Sequence, residues 1–108
     1  MPEAPFGRST RWLTALTVDP RQCGVSRDEI IDALEEENIE ARPVWKPMHL
    51  QPLYEGSRYC PHAERHSVSD RLFEQGLCLP SGSNLTEQDQ ERVISCLRSC
   101  LDRAKFSR

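Results

Sequence analysis

The chain has 108 residues, 29% of them charged, a formal net charge of −3 and 37% hydrophobic content, which suits one domain with a modest core. The acidic balance argues against a general nucleic-acid binder, which presents a basic face. No apolar run approaches the ~20 residues of a membrane span, and Met1 to Thr10 lacks the apolar region of a signal peptide, so a cytoplasmic protein without nucleic-acid or membrane partners is expected.

Residues 1–10 hold two prolines and a glycine and read as a tail or linker; residues 11–103 read as the domain and 104–108 as a second tail. Arg11 to Val18, "RWLTALTV", predicts a strand with Trp12, Thr14, Leu16 and Val18 on one face and Leu13, Ala15 and Thr17 on the other. Neither face is charged, which predicts an interior strand ended by Asp19-Pro20. Ser26-Arg27-Asp28-Glu29 is a capping box that opens a helix with Ile30, Ile31 and Leu34 inward. The acids Glu35 to Glu37 form its solvated end, and Asn38 takes the left-handed position after it.

Ala41 to Trp45 predicts the second strand, which runs into "RPVWKPMH", Arg42 to His49. Pro43 and Pro47 each remove a donor and fix φ near −65°, and they push Arg42 and Lys46 into extended conformations. The result is a stiff ribbon bearing Arg42, Trp45, Lys46, Met48 and His49. Two cations, an indole and an imidazole on rigid backbone suit an anionic, flat-faced ligand.

Leu50 to Arg65 is an irregular loop of the length that is usually functional or disordered. Tyr54 and Tyr59 lie in it, and surface positions are expected for both. Ser67 or Ser69 caps a short helix with Val68, Leu72 and Phe73 inward, closed by Gly76. Leu77 to Pro80 is a third, short strand, and Ser81-Gly82-Ser83-Asn84 a turn. Thr86 caps the last helix, with Glu87 and Asp89 in its first turn and Val93, Ile94, Leu97, Cys100 and Leu101 as its apolar stripe. The fold class expected is α/β (α+β): a small three-stranded sheet packed with about three helices.

"RWLTALTVDP", "EARPVWKPMHLQPLY" and "VSDRLFEQGLCLPSGSNLTEQDQERVI" together resemble, in order and spacing, the C-terminal small domain of the DegT-type (StrS-type) nucleotide-sugar aminotransferases. The resemblance covers about Arg11 to Leu101. It implies a pyridoxal phosphate enzyme of the branch acting on UDP-linked 4-keto-sugars in surface-glycan or protein-glycosylation pathways, and a homo-oligomer. In such enzymes a large domain supplies the lysine that carries the cofactor and the phosphate-binding residues, and those segments have no counterpart here. The chain's two lysines are Lys46, before Pro47, and Lys105, near the C-terminus. A lysine that binds a carbonyl cofactor must be desolvated and aimed at it. The expectation is therefore a fragment or separate module with no catalytic residue and no bound cofactor of its own, partnered by a large pyridoxal phosphate-binding domain or subunit.

The resemblance places the ribbon beside the cleft for the nucleotide sugar. Lys46 and His49 are the foremost substrate contacts, because a diphosphate is held by charge-assisted bonds. Arg42 pairs with phosphate or with an acid of the Glu35 to Glu37 run. Trp45 stacks on the ligand or joins the core, Met48 lies beside it, and Trp12 is expected in the core. Cys60, His62 and His66, with Cys78, Cys96 or Cys100, have some look of a metal site, but the spacing matches no standard zinc pattern and no metal is expected. The cysteines are odd in number and without a secretion signal, which favours free thiols. The alternative reading is a stand-alone, non-catalytic binding or oligomerisation module whose exposed apolar surface drives association.

Overall fold

In the computed structural model of the chain, residues 3–61, 63, 64 and 67–106 are described, Lys105 and Phe106 by their backbone alone. The strand expected third in sequence, β3 (Gly76–Leu79), is the middle of the sheet. β1 (Thr14–Thr17) flanks it on one side and β2 (Arg42–Pro43) on the other, both antiparallel. Thr14 lies opposite Leu79 and Thr17 opposite Gly76, while Arg42 faces Cys78 and Pro43 faces Leu77. Pro43 has no donor, which suits an edge strand. The ladder to β3 resumes at Val44, whose N–H donates to Gly76 O at 3.0 Å.

Among the described residues, four α-helices complete the fold: α1 (Pro20–Cys23), α2 (Arg27–Glu36), α3 (Val68–Gln75) and α4 (Glu87–Phe106). Their starts follow local rules. Ser26 Oγ accepts from Glu29 N while the Glu29 carboxylate accepts from Ser26 N at 2.7 Å. The same reciprocal pair forms at α4, where Thr86 N donates to Asp89 at 2.9 Å and Thr86 Oγ1 accepts from Asp89 N. These bonds favour the charged carboxylates. The Ser26 backbone bond, then its side-chain bond, holds Glu29 below its ordinary value; the Thr86 side chain, then its backbone, does the same for Asp89. Ser67 caps α3 through Asp70 N. Asn38, at φ 56°, turns the chain out of α2 as expected.

Val18, Val25, Ile30, Leu34, Ile39, Leu77, Val93 and Cys100 form one buried cluster. α2 packs on the sheet face that carries Leu16, Leu77 and Leu79, and α4 packs against α2 and α1 to close the same cluster. Ile30, Leu34 and Leu77 are the largest side chains fully closed off, each worth about 1.5–3 kcal/mol of burial. Cys96 adds a weak bond from its thiol to Ala33 O, 3.4 Å away. Burial raises the Cys100 thiol above its usual value. All five cysteines are free thiols.

Gly76 joins α3 directly to β3, and the reason is space. A Cβ there would collide with the Leu72 carbonyl oxygen and stand 2.8 and 2.9 Å from the Val44 methyls. Arg27 ties the end of α3 to the start of α2: its guanidinium donates to Phe73 O and lies 5.1 Å over the Phe73 ring.

Several expectations are corrected. β1 is an edge strand, not an interior one, because β3 takes the centre; Thr14, Ala15 and Thr17 are exposed. β1 also starts late, after Arg11 adopts φ 53°. β2 is shorter than Ala41 to Trp45. Asp19-Pro20 does more than end β1. Asp19 accepts from Arg21 N at 3.0 Å and Pro20 occupies the first turn, so the pair opens α1. On α3, Phe73 is half-buried, but Val68 and Leu72 face outward. On α4, Ile94 leaves the expected stripe and Cys96 packs in its place. The helix continues past residue 103 to Phe106. Among the described residues, no helix is long and apolar enough to cross a membrane.

Candidate functional site

The ribbon leaves β2 at Pro43, stays extended through Pro47 (φ −55°, ψ 145°), and winds into a 3₁₀ turn over Met48–Leu50. A second 3₁₀ turn, Pro52–Tyr54, follows. Gln51 locks the first one: its amide donates to Lys46 O at 3.1 Å and touches Met48 S at 3.7 Å. The backbone beneath Lys46 to His49 is thus held by two prolines and one side-chain bond. The side chains above it are open. Trp45 is 68% exposed and Met48 55%. Lys46 is exposed and has no ion-pair partner among the described residues.

His49 is held more firmly than its neighbours. Its ring stacks on Tyr59, centroids 3.6 Å apart and planes 13° apart. Its Nε2 lies 2.7 Å from Asp70 Oδ1 on α3. The N–H does not point squarely at the oxygen, and both atoms are shut from water with no other partner. Neither atom makes an aligned hydrogen bond, so the pair is a close polar approach between two buried groups. Tyr59 is fixed in turn, its hydroxyl 2.8 Å from Ser67 Oγ and 3.3 Å from Ser69 Oγ.

Arg42 stands apart from this group. Its Nε donates to Glu40 at 2.6 Å, so its acid is Glu40 and none of Glu35 to Glu37. With both side chains largely exposed, at 78% and 70%, the pair is worth roughly 0–1 kcal/mol, and Arg42 is easily drawn to another anion. It borders an open groove of about 980 Å³ between the start of β1, the α2–β2 connection and the β3–α4 turn. Arg92, also on that groove, donates to Glu37 O. Within it, Ser81 donates to Leu79 O and Leu85 N to Gly82 O at 3.1 Å.

Trp12 is not in the core. It is 71% exposed and tilts against Trp45, ring centroids 6.0 Å apart. The structure thus pairs Trp45 with Trp12 and His49 with Tyr59 and Asp70, and leaves Arg42 at the groove. Tyr59 is a structural partner, not surface decoration, although it remains 40% exposed. Asp70 is the residue that sequence reasoning missed. It reads as an acid in a helix first turn, and only the tertiary fold brings it to His49.

Among the described residues, no three His, Cys, Asp or Glu side chains gather as for a metal; His62 and His66 lie outside the described residues. Pyridoxal phosphate does not fit the residues present. Lys46 is exposed on the ribbon, without the desolvation that such a lysine needs.

The DegT/DnrJ/EryC1/StrS aminotransferase family matches residues 2–98. EpsN of Bacillus subtilis (strain 168), described as a pyridoxal phosphate-dependent aminotransferase, is 53% identical over 97 residues, 90% of this chain and 24% of EpsN. A GDP-perosamine synthase of Caulobacter vibrioides is 32% identical over 95 residues, covering 88% of this chain and 24% of the synthase. Among solved structures, an aminotransferase of the same family from Brucella abortus superposes with a TM-score of 0.69 at 30% identity, covering 91% of this chain and 25% of that one. DesI, crystallised with its TDP-sugar product, superposes with a TM-score of 0.71 at 27% identity, covering 87% of this chain and 23% of DesI. The chain thus spans about a quarter of the length of the relatives it matches.

Proposed function

This chain belongs to the DegT/DnrJ/EryC1/StrS aminotransferase family, and on that premise we propose that it is the C-terminal part of a pyridoxal phosphate-dependent aminotransferase acting on a nucleotide-linked 4-keto-sugar. The observation that carries the reading is the ribbon itself: an unpaired ammonium, an open indole and a braced imidazole within Trp45 to His49. Lys46 holds phosphate, His49 contacts phosphate or a hydroxyl, and Trp45 and Met48 give the cleft an apolar wall. Arg42 adds positive charge from the groove side. Pyridoxal phosphate supplies the amino-group transfer, and a large domain or subunit holds it; the present chain alone binds none and is inactive. A cytoplasmic homo-oligomer in surface-glycan or protein-glycosylation synthesis completes the reading.

UDP is our choice of nucleotide. Relatives named for GDP- and TDP-sugars define the rivals. In the complete enzyme, Lys46→Ala should raise KM for the UDP-sugar about tenfold, the size of one lost charge-assisted bond. An unchanged KM for UDP-, GDP- and TDP-sugars alike would end the cleft reading; a rise for another nucleotide only would correct the base.

The open Trp12, Trp45 and Leu53 side chains favour a second reading, a non-catalytic module that self-associates. Sedimentation separates the two: a stable oligomer of this chain that binds no nucleotide would support the module.

A further inference from the structure

His49 has two ring nitrogens with different surroundings. Nε2 is shut from water against Asp70 Oδ1, 2.7 Å away. Nδ1 takes no partner among the described residues. The ring cannot turn freely, because Tyr59 lies flat against it and is itself tied to Ser67 and Ser69. A neutral imidazole carries one proton, and which nitrogen holds it follows from the partner of the other. A carboxylate only accepts.

We propose that Asp70 is a positioning residue that keeps the proton of His49 on Nε2, so that Nδ1 is left as an acceptor for a ligand hydroxyl. The choice of ligand group rests on the cleft reading above; the choice of tautomer does not. Lys46 and His49 then divide the ligand between them. The ammonium has only donors and reads phosphate, whereas the neutral imidazole accepts from a hydroxyl of the sugar or the ribose. Asp70 and Tyr59 act through His49 and touch no ligand.

The test is nitrogen NMR of the histidine rings in the intact chain at a pH of about 8, where an ordinary imidazole is neutral. UDP and UDP-glucose serve as probes. His49 should appear as the Nε2–H tautomer, and Asp70→Asn should shift it toward a mixture. UDP-glucose should move the Nδ1 resonance; a matching shift with UDP alone assigns the hydroxyl to the ribose, and its absence assigns it to the sugar. Asp70→Asn should weaken UDP-glucose binding roughly tenfold, with no further loss when combined with His49→Ala.

A wild-type ring protonated on Nδ1 overturns the proposal, and this reading requires no variant to fold. An Asp70→Asn chain that binds as well as wild type, while Lys46→Ala binds poorly, overturns the hydroxyl contact and leaves the cleft reading intact. If neither variant changes binding, the cleft reading fails and the hydroxyl contact with it.

Discussion

On the helix-covered side of the sheet, Ile30 is 2% exposed and Leu34 and Leu77 not at all; on the ribbon that leaves β2, Trp45 and Met48 are 68% and 55% exposed. Both regions carry large apolar side chains, and only the first closes them off from water. The core closes because α2 lies on one face of a three-stranded sheet and α4 brings its stripe against α2. The ribbon stays open because its prolines and the Gln51 bond fix its backbone without covering its side chains. Stability should therefore reside on one side and recognition on the other.

The sharpest way to break that division is at Leu77. Leu77→Ala should cost about 2–5 kcal/mol, seen as a lower urea midpoint. Gly76→Ala comes next, at about 1–3 kcal/mol, because its methyl enters the space of Leu72 O and Val44. Trp45→Ala should change the stability of the chain by under about 1 kcal/mol. A loss as large as that at Leu77 would place the indole in the core and remove the contrast. The smallest effect is acid sensitivity at the helix starts. Glu29 and Asp89 titrate lower in the folded chain than their ordinary values of 4.5 and 3.8. Their contribution is present above those values and is lost as the pH falls through the lowered folded ones. Glu29→Gln with Asp89→Asn should flatten the stability profile below a pH of about 4.5; an unchanged acid limb would show that the caps add nothing.

The helix starts were legible because caps are local: Ser26 with Glu29, and Thr86 with Asp89, sit three residues apart and meet wherever the helix goes. Asn38 was legible for the same reason. The sheet order was not. An uncharged strand such as β1 reads as interior, yet residence at the edge is decided by which strand β3 accepts on each side. Asp19-Pro20 carried the signal of a helix start as well as of a strand end, and reading it only as an end lost α1. At the site, the rigidity of the ribbon could be read from Pro43 and Pro47. The exposure of Trp12 could not, since β1 begins only at Thr14 and leaves Trp12 ahead of the sheet. The Asp70–His49 contact joins two segments distant in sequence, and no spacing rule reports it.

If Lys46 to His49 forms one wall of a nucleotide-sugar cleft, an NMR titration of this chain with UDP and UDP-glucose shows it directly. Shifts should centre on Trp45 to His49 and be lost in Lys46→Ala. Shifts centred instead on Ser81 to Asn84 and Arg92, or none at millimolar nucleotide, would contradict it.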